Sequence, residues 1–594
     1  MDGRKAAVAL ALVLTACGPS GSRAHRQKVI VLGADGMDPG FLERHWDALP
    51  NLRRLRDRGG LLRLATTTPP QSPVAWATFI TGLDPAQHGL FDFVLRDPNT
   101  LQPISSMGET LEPAHHLDIG PWTLPLGAAR VRTFRRGRTF WQILEQHGIP
   151  VTVMRMPTNY PAEKRAGEAI SGMGTPDLEG TFGTFTYYTD DPGETARAVP
   201  GGRIVPVTAE GGRILLPVQG PPNALRRDRR PTYLDMIAEI DPDQPVARFQ
   251  VEGQEFILRE GEWSPWIRVR FPLIEGLRSV AGMFRLYVRQ LHPAIHIYRS
   301  PLNADPGDPA LPISAPAGFS RELEEGAGPF YTQGIEEDTS ALRQNALDLS
   351  EYLQQSRYVA RKHRALLRQC LRRFQDGLLF FYFSETDQDS HVLWGQHDDE
   401  LLKTYQSVDG ALGDVFKAEP SATVMVMSDH GFSSFRRSFN LNAWLASEGF
   451  GAKAYGMGLN GLYLRKGERD VLGEIRRRLL EFRDPETGER VIQDVATVGP
   501  TSSPYAPDLI VGPAPGYRIS WESALGESSG AILEDNTDAW IADHCIAAQA
   551  VPGSLLGTRK SRVSDPALKD LPVTILGLFG VGAPAEMTGR DIYR

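Results

Sequence analysis

Three short apolar runs in this chain each end on an acidic side chain, and that repeated ending constrains the fold more than any other feature. "VIVLGADGMD" carries Val29–Gly33 to Asp35, "LLFFYFSETDQDSH" carries Leu378–Phe383 to Asp387 and His391, and "TVMVMSDHGF" carries Thr423–Met427 to Asp429 and His430. Short runs of β-branched and aromatic residues bounded by turn residues read as buried strands. Between them lie helical patterns: Leu49, Leu52 and Leu55 in "LPNLRRLRDRGG", the stretch "VAWATFITG", Thr139 to His147, and a long helix expected from Ala341 to Phe374. "PVTVMRMP" reads as a further strand and "PVTILGLFGV" as an amphipathic helix. Alternation of strand and helix predicts an α/β fold, a mainly parallel sheet with helices on both faces. In such sheets ligands bind beyond the carboxyl ends of the strands, where all three endings fall.

The chemistry of those endings points to metal. Asp387 and His391 are four apart and share one face if their segment is helical. Asp429 and His430 are adjacent; a straight strand would point them oppositely, but the bend at Gly431 lets them converge. One Asp at a strand exit is ordinarily a turn or cap residue. Three exits, two of them carrying an Asp–His pair, fit a site for zinc, manganese or a similar ion. Besides Cys17 the chain has only Cys370 and Cys545, which excludes a disulfide framework and a thiolate zinc cluster.

These segments resemble the alkaline phosphatase superfamily, and within it the type I phosphodiesterase/nucleotide pyrophosphatase branch. "GADGMD" is similar to that branch's first metal motif, "PPQSPVAWATFITGLDPAQHGLFDF" to its nucleophile segment, "TDQDSH" to its Asp-x-x-x-His motif and "SDHGF" to its Asp-His-Gly motif; "WIADHCIAAQAVPGSLL" supplies the last expected histidine, His544. The resemblance implies an alkaline-phosphatase-like sandwich and two divalent ions, zinc with manganese as the alternative. Asp387, His391 and His544 would hold one; Asp35, Asp429, His430 and the Ser72 oxygen would hold the other. It further implies a phosphoester hydrolase acting through a phosphoseryl intermediate on Ser72. The branch carries Asn three residues after the nucleophile, and here that position is Ala75. Asn159 and Thr175 are therefore candidate substrate contacts, with local turn chemistry as their simpler role. Trp76 reads as core and His88 as structural.

The remaining sequence sets the boundaries. Arg4 and Lys5 precede an apolar run, Ala6 to Leu14, too short to span a bilayer and suited to a signal peptide. "LTAC" then resembles a lipobox, so residues 1–16 are expected to be a lipoprotein leader, Cys17 a lipid-bearing membrane anchor, and 17–27 a tether in the bacterial cell envelope. The catalytic core is expected over 28–195 and 335–594. Residues 196–334, rich in Pro, Gly and short β-like runs, read as an inserted cap holding Trp263, Trp266, Phe271 and Tyr298. Net charge is −8 over 594 residues, so no nucleic-acid partner is expected, and the arginines near 226–230 read as a solvated loop. A sulfatase on the same fold needs Pro or Ala and Arg where "SPVAW" lacks them. A phosphoryl transferase or mutase differs only in its acceptor pocket. A binding lipoprotein with a decayed site would have lost ligands, yet every position is filled.

Overall fold

The computed structural model describes residues 27–111, 113–127, 130–162 and 167–594. The leader, Cys17 and all of the tether except Gln27 lie outside the described residues. Alternation along the central strands decides the layering. In β1 (Lys28–Ala34), Val29 and Val31 face one apolar cluster while Ile30, Leu32 and Ala34 face another. The other central-sheet strands are β2 (Leu61–Leu64), β3 (Val151–Met156), β4 (Glu168–Ser171), β5 (Ser314–Ala315), β6 (Gly377–Phe383), β7 (Thr423–Met427) and β8 (Gly553–Gly557). They lie in the order β2-β8-β7-β1-β6-β3-β4-β5. The run β7-β1-β6-β3-β4 is parallel, whereas β8 joins β7 and β5 joins β4 in antiparallel fashion. The sheet is thus mainly parallel, as expected, with antiparallel strands at both margins.

Helices cover both faces. On the Ile30 side pack α1 (Pro50–Gly59), α4 (Leu349–Arg373) and α6 (Asp398–Ala418); on the Val29 side pack α2 (Ser72–Thr81), α3 (Phe140–Gln146) and α7 (Asp570–Leu578). A nine-residue helix, α5 (Glu385–Leu393), leaves the end of β6. Strands buried on both sides must be apolar throughout, which is why β6 reads "GLLFFYF" with no polar alternation.

Two features differ from the sequence expectation. The helix expected from Ala341 to Phe374 is two: Thr339–Arg343 ends, Asn345 takes a φ of 57°, and α4 restarts at Leu349. Asp348 caps the restart, accepting from Glu351 N–H while the Glu351 carboxylate accepts from Asp348 N–H, which makes a new helix start favourable. The β-rich insert also does not follow the limits 196–334. Phe185–Thr189 already pairs with Gly202–Pro206 and with His296–Arg299, and Ser314–Ala315 has returned to the central sheet. Within the insert, Arg213–Pro222, Pro231–Ile240, Val246–Val251 and Gln254–Arg259 form an antiparallel meander over a core that includes Leu216, Met236, Phe249 and Phe271. Phe271 and Tyr298 are fully buried; Trp263 and Trp266 are half-buried. A separate small sheet of Ala454–Met457, Gly461–Leu464, Ile492–Thr497 and Leu509–Pro513 has its own apolar cluster around Trp444.

Candidate active site

All seven candidates for nucleophile and metal ligand converge at the carboxyl ends of β1, β6 and β7, and all are buried. Asp35 leaves β1 toward the α2 side. Its Oδ2 accepts from the Trp76 indole N–H at 2.8 Å and from the Tyr382 hydroxyl at 2.7 Å, which fixes the carboxylate. Its Oδ1 lies 3.3 Å from both Ser72 Oγ and His430 Nε2. Gly33 makes this possible: a Cβ there would stand 2.6 Å from the Trp76 ring. Ser72 is the first residue of α2, so the positive end of that helix faces the site.

Helix α5 brings Asp387 and His391 to one face, with His391 Nε2 3.5 Å from Asp387 Oδ1. The same oxygen lies 3.7 Å from His544 Nε2 and 3.9 Å from His430 Nε2. His430 Nε2 is also 3.3 Å from Asp429 Oδ2 and 3.2 Å from Ser72 Oγ. Four atoms about 2.0–2.1 Å from one ion at tetrahedral angles stand about 3.3 Å apart, so the spacing of Asp35, Asp429, His430 and Ser72 suits a zinc-sized ion.

Three further observations fit a cation. Each histidine has its Nδ1 against a main-chain carbonyl: His391 with Ala542 at 2.8 Å, His544 with Pro70 at 2.7 Å, His430 with Gly431 at 3.1 Å. A carbonyl only accepts, so Nδ1 carries the proton and the Nε2 lone pair points inward. Asp387 Oδ1 and Asp429 Oδ2 are buried without a hydrogen-bond donor. The ion-pair partners of Asp35, Asp387 and Asp429 among the described residues are these histidines, with no Lys or Arg. Burial and the adjacent Asp35 push the Asp429 carboxyl well up. Burial pushes the His430 imidazole down, and Asp429 and Asp35 more than reverse that, to about 10. Burial raises Asp387 as well, but the surrounding histidines, His391 first, bring it to about 2. His544 stacks on His430 at 3.6 Å; burial and that neighbouring charge hold it near 4. The field that holds a proton on His430 equally attracts a divalent cation.

The sequence model of the type I phosphodiesterase / nucleotide pyrophosphatase family matches residues 29–234 and 277–531. The chain belongs to this family. Its members hydrolyse phosphoric esters and depend on metal, and this phosphodiesterase-family chain is an enzyme of that class. The match includes Asp35, Ser72, Asp387, His391, Asp429 and His430; His544 lies beyond it and is brought in by the fold. No curated protein matches the sequence. Among solved structures, phosphonoacetate hydrolase from Sinorhizobium meliloti 1021 with phosphonoacetate is 12% identical, covering 94% of this chain and 96% of that one, with a TM-score of 0.48. Murine ectonucleotide pyrophosphatase / phosphodiesterase 5 is 11% identical over 96% of this chain and 100% of that one, with a TM-score of 0.43. An inactive form of the murine protein is solved in complex with AMP.

Sequence reasoning missed the family chain's supporting residues. Trp76 is core but also positions Asp35, as does Tyr382. Asp543 accepts from the backbone N–H of His544 and Cys545 and from the Trp540 indole, and lies 3.1 Å from Arg518 Nε. Trp540 in turn stacks on His391 at 3.6 Å. No motif announces these; Arg518 and Asp543 lie on Gly516–Ile519 and Ala542–Asp543, two strands that pair with Ser433–Phe439, and Ala542–Asp543 packs against α5. A cavity of about 310 Å³ adjoins the site, bordered by Asp387, His391 and His544 and by Arg343, Trp521 and Trp540. Asn159 and Thr175 are buried and do not line it. The Thr175 hydroxyl is used in its own turn, donating to Gly172 O at 2.7 Å. His88 is buried against Thr78, as a structural histidine would be.

Proposed function

We propose that this chain hydrolyses phosphodiesters or nucleotide pyrophosphate bonds through a phosphoseryl intermediate on Ser72. The observation that carries the reading is the Ser72 hydroxyl, first in its helix and 3.2–3.3 Å from His430 and Asp35, facing a cluster whose three imidazoles are all oriented inward. Asp387, His391 and His544 would hold one divalent cation, and Asp35, Asp429 and His430 with the Ser72 oxygen a second, zinc or manganese. When bound, such ions supply positive charge to the phosphoryl oxygens and to the oxygens entering and leaving. The chain's own part is to orient. Trp76 and Tyr382 lock Asp35, the backbone carbonyls lock the imidazole tautomers, and the α2 terminus favours negative charge beside Ser72. Ser72 Oγ loses its proton to solvent and attacks phosphorus, the bond to the leaving oxygen breaks, and that oxygen takes a proton from solvent to depart as an alcohol, or departs as a phosphate. Water then cleaves the phosphoserine, restoring the hydroxyl.

The test is a substrate panel of p-nitrophenyl phosphate, bis-p-nitrophenyl phosphate, thymidine-monophosphate nitrophenyl ester and nitrophenyl sulfate, with zinc or manganese. Preferred turnover of a diester is expected, and Ser72→Ala should lower it by on the order of 10⁴-fold or more while bound metal is retained. Sulfate preference, or an active Ser72→Ala, would refute the reading. We also propose export and anchoring through lipid on Cys17, supported by the leader-like residues before it. No described helix is long and apolar enough to cross a membrane. Absence of labelled fatty acid from the mature chain would remove the anchor.

A further inference from the structure

Away from the strand ends, a two-stranded ribbon, His116–Ile119 with Trp122–Pro125, presents an apolar face that is exposed among the described residues. Its register pairs Leu117 with Leu124 and Ile119 with Trp122, so these four side chains share one face. They are 49%, 52%, 65% and 37% exposed, and Leu126 beyond them is 59% exposed. An isolated ribbon is marginal in water, and grouped exposed apolar side chains mark a contact surface.

The ribbon is fastened to a basic loop. Thr123 N–H donates to Leu225 O at 2.9 Å and Arg227 N–H to Pro121 O at 3.1 Å. The loop reads "RRDRR" from 226 to 230, four arginines around one aspartate. Arg226 pairs with Asp228 at 2.7 Å and stands 5.6 Å over the Trp122 ring; Arg227 lies 3.6 Å from Asp118. Arg227, Arg229 and Arg230 are exposed. On the ribbon's other face an open groove of about 420 Å³ is bordered by His116, Asp118 and Thr123 and by Arg226, Arg227 and Arg229. The chain as a whole carries −8, so this surplus of positive charge is local to the loop.

We propose that the ribbon and the 226–230 loop are a bilayer-contact site, with the Leu117, Ile119, Trp122 and Leu124 face entering the acyl–headgroup boundary and the arginines binding lipid phosphates. Apolar and aromatic side chains beside Arg are what an anionic lipid surface retains. Two cross-strand pairs are a small area against the ~800 Å² per partner of a standard protein interface, whereas fluid lipid needs no matching shape. A second copy would set one arginine loop against another, at a cost in like-charge repulsion. The site depends neither on the proposed reaction nor on lipid at Cys17, and would act beside that anchor.

The test uses the chain from Gly18 onward, which loses no described element, in co-sedimentation with vesicles. Binding is expected to phosphatidylglycerol/phosphatidylethanolamine and not to phosphatidylcholine, and to weaken with salt. Leu117→Ser with Ile119→Ser should weaken it about tenfold or more. Arg227→Gln with Arg230→Gln should cost about fivefold per arginine. Turnover of a soluble phosphodiester should be unchanged in every variant. If the double Ser variant melts early, Ile119→Asp alone, at the most exposed position, is read the same way. A wild-type chain that stays in the supernatant, or variants that sediment like it, would overturn the proposal. So would a dimer abolished by the ribbon variants, which would make a second copy the occupant.

Discussion

A buried ionisable side chain works only in the setting its neighbours give it. Asp543 receives the backbone N–H of His544; burial pushes its carboxyl up, and Arg518, His391, His544 and the Cys545 backbone N–H together hold it far below the usual range. Asp543→Asn should therefore lower divalent-metal affinity roughly 10- to 100-fold, with activity recovered in excess metal; titration of apo-protein with zinc checks it, and an unchanged affinity would disprove the role. His363 is a second case. It sits buried between Glu336 at 2.5 Å and Glu385 at 2.8 Å, with Arg155 also bonded to Glu336 at 2.9 Å. Burial and Arg155 push its pKa down, and the two glutamates outweigh them and hold it at about 9, above the ordinary 6.5. A raised pKa means the folded chain binds the proton more tightly than the unfolded one. The stabilisation is then fully present below pH 6.5 and is lost as pH rises through about 9. His363→Gln should cost about 3–5 kcal/mol at pH 6, because it leaves Glu385 buried without its hydrogen-bonded cation and Glu336 with Arg155 alone. Denaturant melts should show the gap to wild type narrowing between pH 6.5 and 9.

At the scale of elements, strand exits place the chemistry and glycines shape the exits. Gly36 follows Asp35 with φ of +63°, and a Cβ there would stand 2.4 Å from the Phe432 ring and 3.1 Å from Asp387 Cα. Gly36→Ala should both strain the backbone, by about 1–2 kcal/mol, and push β1 away from α5. The expected result is a lower melting temperature together with a fall in kcat; a variant that melts lower at full kcat would show that the exits are not coupled through Gly36. Helix α5 matters for a different reason. Its four-residue spacing aims Asp387 and His391 the same way, but Trp540 and the Ala542 carbonyl select the ring's orientation.

For the whole molecule, a cluster of three buried carboxylates drawn from three strand exits is a cost to folding unless a positive charge balances it. Chelation should abolish turnover and also lower the melting temperature, since an ion bound only by the folded chain stabilises it by mass action, about 2.7 kcal/mol at a hundred times Kd. Zinc or manganese should restore both. A melting temperature indifferent to chelator would mean that the cluster holds no ion.

Much of this was legible in the amino-acid order because period and chemistry are local properties. Buried parallel strands have to be apolar throughout, so β1, β6 and β7 announce themselves, and each motif carries its Asp or His within a few residues of a strand end. The break between Arg343 and Leu349 was missed because helical periodicity runs through it, and only the Asp348–Glu351 capping box marks the restart. The limits of the insert were missed because strand partners are a non-local choice: Phe185–Thr189 is apolar and aromatic enough for either unit, and pairing with His296–Arg299 decided the matter. By itself the sequence determined the central strands, the helix faces and the candidate ligands for a cation. Only the tertiary structure decided that Asp543 and Trp540 stand behind His544 and His391, that Trp76 and Tyr382 pin Asp35, and that an apolar ribbon lies against an arginine loop. Those contacts join segments far apart in the chain, and they form only when burial of the two sheet faces brings the segments together.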